Sequence, residues 1–244
     1  VMALLSGGGY AEYVAVHKSL VLKVPDNLDS YEAAGLMEAF LTGWQALSWL
    51  GKLKEHENVL VHAGASGVGT ACIQLAKNMG ATVFTTASPG KHQICKKLGA
   101  DYCIDYHQQN FEEVVQQHTT GGVDLVIDFV GTSYFKQNLF SLNTDGRMVM
   151  LGFLGGNKPE PLNLAPVIFK RLTIMGSTLR SRSLEYRGRL VEDFENNCYE
   201  ELASGKLKPV IDRIFSWEDV EAAHQYMEQN KNRGKLILTV DSAK

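Results

Sequence analysis

A glycine-rich turn lies at residues 62–69, with the sequence HAGASGVG. An apolar run precedes it and an apolar helix-like segment follows it. Glycines let backbone N–H groups approach a phosphate, and the N-terminus of a following helix adds positive potential. A glycine cluster alone could be an ordinary tight turn, but the strand before it, the helix after it and the further repeats of this pattern favour a dinucleotide pyrophosphate site.

The kind of dinucleotide is indicated by the segment 85–91, TTASPGK, which follows the next predicted strand. An NAD site normally has Asp or Glu here to accept from the ribose 2′-hydroxyl, and this segment has no carboxylate. Ser88 and Lys91 offer a hydroxyl and a cation instead, and Tyr106, after the third strand, could close over the same phosphate. The segment therefore favours NADPH, with a solvated loop and an incidental lysine as the alternative.

Catalytic side chains are harder to assign. Ser66 with His62 could suggest a nucleophile and its base, but side chains alternate along a strand, so we do not expect the two to meet. Hydride transfer is chemistry of the nicotinamide itself and requires few protein groups. The catalytic residues of this chain are therefore left unassigned.

The cysteines do not form a metal or disulfide framework. Cys72, Cys95, Cys103 and Cys198 contain no C-x-x-C pair and lack the close, even spacing of a zinc lobe or a disulfide scaffold. The histidines are scattered, and we interpret His62 and His107 as structural or surface residues. These patterns predict an intracellular, reducing location and no bound metal.

Composition excludes several classes of partner. The chain has 244 residues, of which 45% are hydrophobic and 21% charged, with a formal net charge of -3. This balance gives no basic footprint for nucleic acid or an anionic membrane. No apolar run approaches the roughly 20 residues that span a bilayer. We expect a cytoplasmic protein, with mitochondria left open, whose partner is a small molecule.

The middle of the chain alternates short apolar runs with amphipathic segments, as in βαβ units. Strands are predicted at 58–62, 81–86, 102–105, 123–130, 147–152 and 172–176. Helices are predicted at 68–79, 91–98 and 111–118 and near 135–142, with Gly80 and Gly99 ending the first two. The pattern predicts an α/β fold with a doubly wound parallel (Rossmann) sheet of about six strands.

The flanks have a different pattern. Alternating valines and aromatics at 9–25 predict antiparallel strands. Beyond the sheet we predict helices at 184–204 and 217–229 and strands at 210–214 and 235–240. The chain thus divides into 1–38, a dinucleotide-binding domain at 39–180, and 181–244. Residues 1–38 cannot form a core alone, so we expect them to pack with the C-terminal flank or with a segment not included here.

Several motifs in combination resemble one known family over essentially the whole chain. They are EAFLTG at 38–43, the turn AGASGVG at 63–69, LGAD at 98–101, DFVG at 128–131 and NRGK at 232–235. They are similar to the zinc-less quinone oxidoreductases of the medium-chain dehydrogenase/reductase superfamily, and most of all to its tumour-suppressor-inducible, NADPH-dependent subgroup. The resemblance implies an NADPH-dependent reductase of quinones or related electron-poor acceptors, assembled as a homodimer.

The resemblance also implies positions for the cofactor. Ser66, Gly67, Val68 and Gly69 would hold the pyrophosphate, while Ser88, Lys91 and Tyr106 would surround the adenosine 2′-phosphate. Thr42 would contact the nicotinamide ribose. The nicotinamide half would be lined by Val130, Gly131, Gly152, Phe153, Leu154, Leu179 and Ser181, with Asn232 near the C-terminus.

Two departures from the family pattern matter. Ser66 replaces the middle glycine of the family's A-x-x-G-x-x-G frame, although a serine hydroxyl can still donate to a phosphate oxygen. The sequence also begins at what resembles the interior of the family's GroES-like β-barrel catalytic domain, so both flanks would build an incomplete barrel. The absent segment normally supplies a tyrosine near the nicotinamide, and we expect the chain to be part of a longer enzyme.

Metal and turnover follow from the same resemblance. Zinc-dependent relatives have a cysteine ligand where this chain has Glu38, and no set of nitrogen and sulfur ligands completes a site around it. The alternative function is a dinucleotide-binding protein without turnover, either a truncated isoform or a crystallin-like structural protein. At the predicted sheet edge, 172–176 would be open to pairing with a second copy.

Overall fold

The computed structural model of the chain describes residues 1–158 and 163–240, which form two units. Unit 1 contains Val1–Gly43, Ser66–Ala71 and the described residues from Leu179 onward. Unit 2 contains the described residues within Trp44–Ala65 and Cys72–Thr178. None of the helices in the described ranges is long and apolar enough to cross a membrane.

The elements are numbered in chain order. The strands are β1 (Met2–Ala3), β2 (Val21–Leu22), β3 (Asn58–Val61), β4 (Thr82–Ala87), β5 (Tyr102–Asp105), β6 (Val123–Asp128), β7 (Leu142–Met150), β8 (Thr173–Gly176), β9 (Ile211–Ser216) and β10 (Lys235–Thr239). The helices are α1 (Ser30–Trp44), α2 (Gly67–Asn78), α3 (His92–Lys97), α4 (Phe111–His118), α5 (Thr132–Ser141), α6 (Ala165–Phe169), α7 (Leu184–Ala203) and α8 (Val220–Glu228). A π-helical stretch, Gln45–Leu50, continues α1, and single 3₁₀ turns are found at Lys18–Leu20, Pro89–Lys91 and Trp217–Asp219.

Unit 2 is built on a parallel sheet of six strands in the order β5-β4-β3-β6-β7-β8. The chain starts in the middle with β3, moves outward to β5 and then crosses back to β6, which is the doubly wound arrangement. The register places Val59 of β3 beside Val83 of β4 and Leu125 of β6. The prediction of a doubly wound α/β sheet is confirmed.

The core of unit 2 lies against this sheet. Parallel strands covered on both faces consist of nearly continuous apolar residues, and Val59, Leu60 and Val61 are all fully buried. One face is filled by a cluster from the strands, α4 and α5: Leu60, Phe84, Ile104, Phe111, Val115, Val123, Val126, Leu139, Leu142 and Met148. The apolar runs of the sequence therefore form the strands of this sheet. The carboxyl ends of these parallel strands lie together at one edge of the sheet.

Unit 1 combines α1 and α7 with short strands. The rings of Phe40 on α1 and Phe194 on α7 lie 6.2 Å apart, centroid to centroid. Gly35 lets α1 approach the parallel pair β9 and β10, since a Cβ there would lie 2.6 Å from Ile211 Cδ1. The small residue on α1 is thus explained by close packing between elements of one unit.

The prediction of antiparallel strands over 9–25 is wrong for most of its length. Only Val21–Leu22 forms a strand, and it pairs with Met2–Ala3 rather than with the alternating segment. Tyr13 is 91% exposed, so the alternation does not mark a buried face. A strand requires a hydrogen-bonded neighbour, and among the described residues Leu5 to His17 have no strand neighbour.

Candidate dinucleotide-binding site

The turn after β3 is held tightly against β4. Ala63 has a positive φ of 49°, and the Gly64 N–H donates to the carbonyl of Thr86 at 3.0 Å. A Cβ on Gly64 would lie 1.8 Å from Thr85 Oγ1, so this position accepts only glycine. The turn after β3 therefore stays hydrogen-bonded to β4, and glycine at position 64 permits this close approach.

The first turn of α2 is capped by Ser66. Its Oγ accepts from the Gly69 N–H at 3.0 Å, and its carbonyl accepts from the Thr70 N–H. A hydroxyl can donate while it accepts, so the Ser66 proton can still be directed to an anion. The predicted pyrophosphate residues, Ser66 to Gly69, thus form one helix N-terminus whose N–H groups and dipole favour negative charge.

Lys235 is a component of this turn to which we assigned no role from the sequence. A Cβ on Gly67 would lie 2.3 Å from Lys235 Cδ, so the lysine stem covers the glycine. Its Nζ donates to Glu38 Oε2 at 2.9 Å, and Glu38 Oε1 accepts from Thr42 Oγ1 at 3.3 Å. The NRGK motif was the only sequence signal for this lysine, because the contact joins residues far apart in the chain.

Asn232 belongs to the same group within unit 1. Its side-chain amide donates to the carbonyl of Gly234 at 2.9 Å. Gly234 in turn forms an isolated parallel bridge with Ser66. The structure therefore brings Thr42 and Asn232 into one hydrogen-bonded and packed group with the start of α2.

A zinc site does not fit the described residues. Within 1–158 and 163–240, no three His, Cys, Asp or Glu side chains lie together as metal ligands. Glu38, at the position of a family zinc ligand, is bonded to Thr42 and Lys235. A tetrahedral zinc ion requires further nitrogen or sulfur donors.

Ser88, Lys91 and Tyr106 form what we call the phosphate edge. Ala87, the last residue of β4, pairs with Asp105, the last residue of β5, so Ser88 and Tyr106 leave the sheet side by side. The Lys91 N–H closes a 3₁₀ turn onto the Ser88 carbonyl at 2.8 Å. The three predicted 2′-phosphate contacts thus share one end of the sheet.

Val130, Gly131, Gly152, Phe153 and Leu154 form what we call the apolar edge. The loop after β6 is anchored by the buried Asp128 carboxylate, which accepts from the N–H groups of Val130 at 2.7 Å and Gly131 at 3.1 Å. The loop after β7 joins it, since the Leu154 N–H donates to the Phe129 carbonyl at 3.0 Å.

Two apolar side chains of this edge point outward. Phe153 is 59% exposed and Leu154 is 79% exposed. Leu179, which is buried, and Ser181, which is exposed, belong to unit 1.

His62 is a core residue of unit 2. Its Nδ1 lies 3.0 Å from Thr86 Oγ1 and its Nε2 lies 2.7 Å from Asn138 Oδ1. Because the Asn138 oxygen can only accept, Nε2 carries a proton, and a neutral ring accepts at Nδ1 from Thr86. Burial lowers the pKa of His62, opposed by the charge of Asp128 and the bond to Asn138. Both ring nitrogens are occupied, so His62 is not positioned as a base for Ser66.

A family model described as "Zinc-binding dehydrogenase" matches residues 67–196, more than half of the chain. The synaptic vesicle membrane protein VAT-1 homolog of Homo sapiens is 31% identical over 252 residues, which cover 98% of this chain and 64% of that protein.

Solved structures share the fold at similar identity. The quinone oxidoreductase of Thermus thermophilus, described also in complex with NADPH, has a TM-score of 0.86 and 31% identity over 98% of this chain and 76% of its own. An NAD-dependent alcohol dehydrogenase has a TM-score of 0.84 and 33% identity over 96% of this chain and 66% of its own.

The length of the match is also informative. The chain spans 62% and 64% of the VAT-1 homologs of Mus musculus and Homo sapiens. Over the part of the relatives that this chain covers, the family model, the glycine-rich turn and the six-stranded sheet all indicate the same family. The chain belongs to the zinc-binding dehydrogenase family, within the medium-chain dehydrogenase/reductase superfamily.

Proposed function

We propose that this chain binds NADPH and takes part in hydride transfer to quinones or related electron-poor acceptors. The observation that carries the proposal is the phosphate edge. The loop after β4 has no carboxylate to accept from a ribose 2′-hydroxyl, and it has Ser88 and Lys91 where a 2′-phosphate would lie.

The charges around this loop support NADPH over NADH. Neither the 3₁₀ turn nor the first turn of α3 contains an acidic residue. Lys91 is the basic residue of this 3₁₀ turn. A cation hydrogen-bonded to a phosphate contributes about 1.5–3 kcal/mol, which is enough to discriminate between the two cofactors.

The remaining predicted residues have consistent roles. The N-terminus of α2 and the Ser66 hydroxyl would hold the pyrophosphate, and Thr42 would contact the nicotinamide ribose. Phe153 and Leu154 offer exposed apolar surface that would exclude water around the ring. The cofactor would supply the hydride when bound, and these residues would hold and orient it.

The similar proteins support the reaction class. One is a quinone oxidoreductase with an NADPH complex, whereas another is an NAD-dependent alcohol dehydrogenase. Because their names differ in both cofactor and substrate, the residues of the phosphate edge decide the cofactor in this proposal. The acceptor in this proposal is taken from the quinone oxidoreductase.

The test is NADPH oxidation by this chain in the presence of a small ortho-quinone, followed by absorbance. We expect a quinone-dependent rate that saturates with NADPH and is slower with NADH at equal concentration. Lys97→Ala, on the exposed side of α3, is the matched control for surface charge and should keep the rate. Saturable NADPH binding with no quinone-dependent rate would instead indicate a dinucleotide-binding protein without turnover.

We also propose a homodimer formed through the edge strand β8. β8 is the last strand of the sheet, with Thr173 and Gly176 exposed. An open edge is a template for pairing with a second copy. Sedimentation should give twice the chain mass of 26.9 kDa, and Thr173→Lys should favour the monomer. A monomer for the unmodified chain at micromolar concentration would contradict the proposal.

A further inference from the structure

A row of buried polar side chains runs from α5 through the end of β3 to the end of β4. His62 Nε2 lies 2.7 Å from Asn138 Oδ1, and His62 Nδ1 lies 3.0 Å from Thr86 Oγ1. Thr86 Oγ1 also accepts from the Ala63 N–H at 3.3 Å. The three side chains are at most 1% exposed. Asn138, His62 and Thr86 together are named the polar bridge below.

The hydrogen bonds of the polar bridge have a fixed direction. The Asn138 oxygen accepts from His62 Nε2, so the neutral ring accepts at Nδ1 and the Thr86 hydroxyl donates to it. The lone pairs of Thr86 Oγ1 then remain for the Ala63 N–H. One hydroxyl therefore serves both the buried ring and the backbone of the glycine-rich turn.

The turn after β3 needs this support because of its backbone conformation. Ala63 has a φ of 49°, in the left-handed region that residues other than glycine rarely adopt. The Thr86 carbonyl accepts from the Gly64 N–H at 3.0 Å, next to the Ala63 N–H that the Thr86 hydroxyl binds. Thr86 thus binds two successive N–H groups of the turn, and these bonds hold alanine in a conformation that favours glycine.

We propose that the polar bridge orients the glycine-rich turn for the pyrophosphate of the cofactor, with Thr86 as a positioning residue. The inference rests on the proposed function, because it takes the pyrophosphate to bind at this turn. A turn that is ordered before binding gives higher affinity than one that must be ordered by the ligand. NADPH and NADH share the pyrophosphate, so the bridge should contribute equally to both. Lys91 should by contrast affect NADPH alone.

The test measures affinities for NADPH and NADH by calorimetric titration of Thr86→Val, which keeps the shape of the side chain and removes the hydroxyl. We expect both affinities to fall by about five-fold, the equivalent of one ordinary hydrogen bond. Thr86→Ser retains the hydroxyl and should recover most of the loss. Thr86→Cys, whose thiol is a weaker donor, should give intermediate affinities and provides a second variant if Thr86→Val does not fold.

Thr119→Val is the matched control. The Thr119 hydroxyl, before β6, also serves two groups of unit 2, since it donates to the Val115 carbonyl at 2.8 Å and accepts from the Gly122 N–H at 3.1 Å. Its removal should leave both affinities unchanged. Circular dichroism and urea unfolding of each variant measure the fold and its stability separately from binding.

A second substitution separates positioning of the turn from a general loss of stability. Glycine adopts a positive φ without the steric cost that alanine has. In the Thr86→Val background, Ala63→Gly should therefore raise both affinities again by about two- to five-fold, although no hydroxyl returns. A role of Thr86 in the core alone predicts no such recovery.

The outcomes distinguish the inference from the proposed function. Equal losses for NADPH and NADH in Thr86→Val, with recovery in Thr86→Ser and in the double variant, support the inference. Unchanged affinities in a folded Thr86→Val, a loss confined to NADPH, or an equal loss in Thr119→Val would overturn it while the proposed function stands. If the unmodified chain binds neither cofactor, the proposed function fails and the inference fails with it.

Discussion

The phosphate edge and the apolar edge lie at the same end of one sheet, yet they are built in opposite ways. At the phosphate edge, side chains carry the chemistry: a hydroxyl, a cation and a phenol follow β4 and β5. At the apolar edge, backbone N–H groups of the loops after β6 and β7 donate to the Asp128 carboxylate and to the Phe129 carbonyl. Recognition of a charge therefore depends on residue identity, and shape depends on backbone geometry.

This difference has a practical meaning for variants. Changes of side chain at the phosphate edge should alter which dinucleotide binds and leave the fold intact. Changes at the glycines of the apolar edge should destabilise the fold itself. His62 lies between the two regions, because its ring bonds to Thr86 on β4 and to Asn138 on α5. The comparison can be tested by measuring stability and cofactor preference separately.

The largest expected effect is that of Gly131→Ala on stability. Gly131 has φ of +86°, and a Cβ there would lie 2.7 Å from the carbonyl oxygen of Gly156. We expect the free energy of unfolding to fall by about 2–4 kcal/mol, measured in urea. Gly90→Ala, at the phosphate edge, is the control, because a Cβ there meets nothing within 4 Å. Equal unfolding midpoints for the two variants would contradict the comparison.

The next largest effect is the loss of stability in His62→Gln and its dependence on pH. Burial lowers the pKa of His62 in the folded chain, so the unfolded chain takes up this proton more readily. The contribution of His62 is therefore present above the ordinary value of 6.5 and is lost as pH falls toward the lower folded pKa. His62→Gln should lose about 2 kcal/mol near neutral pH, since two buried hydrogen bonds are disturbed.

The pH dependence of the stability of His62→Gln tests whether the buried His62 ring itself takes up a proton on unfolding. The alternative is that acid destabilises the chain through other groups. His62→Gln should show a shallower loss of stability between neutral and acid pH than the unmodified chain. His118→Gln, at an exposed position in the last turn of α4, should follow the unmodified chain. Identical pH slopes for the unmodified chain and His62→Gln would show that His62 does not titrate on unfolding.

The smallest expected change in stability is that of Phe153→Ser. This side chain is 59% exposed, so unfolding should change by about 0.5 kcal/mol or less. Affinities for NADPH and NADH should fall together, because the apolar edge does not contact the 2′-phosphate in our proposal. Calorimetric titration with both cofactors measures this, and a selective loss of NADPH binding would contradict the division of roles.

The sheet could be predicted because its signal is local. The central strands β3 and β6 are short, mostly apolar runs ended by a turn, and the helices α2 and α3 are followed by the glycines Gly80 and Gly99, both with positive φ. The observed strand bounds differ from the predicted bounds by a few residues where residues of a turn are themselves paired in the sheet. β7 begins at Leu142 rather than at Arg147, because Leu142 pairs with Val123 beside an irregularity in β6.

Helix α1 was missed for a physical reason. Leu36, Met37, Phe40 and Leu41 are all buried, so the helix has apolar residues around much of its circumference and lacks a clear stripe. Gly35 also argues against a helix in the sequence, because glycine has a low helix propensity. In the structure, the missing side chain leaves room for Ile211. Packing against other elements, which the local pattern does not contain, stabilises this helix.

The candidate site was predictable to different degrees. The missing carboxylate after β4 is a property of residue types, so the phosphate edge could be inferred from the sequence. Two features of the site join residues that are distant in the chain. Lys235 covers Gly67, and the loop after β7 is hydrogen-bonded to the loop after β6. Such contacts follow from the fold and leave no spacing that a sequence pattern reveals.

The central claim is that Lys91 helps to bind a 2′-phosphate, and titration with NADPH and NADH tests it most directly. In Lys91→Ala, we predict that NADPH affinity falls by about 10- to 100-fold toward that of NADH, as expected for loss of a charged hydrogen bond. NADH affinity should stay unchanged, and Lys97→Ala should behave as the unmodified chain. Equal affinity for NADPH before and after the Lys91 substitution would contradict the account.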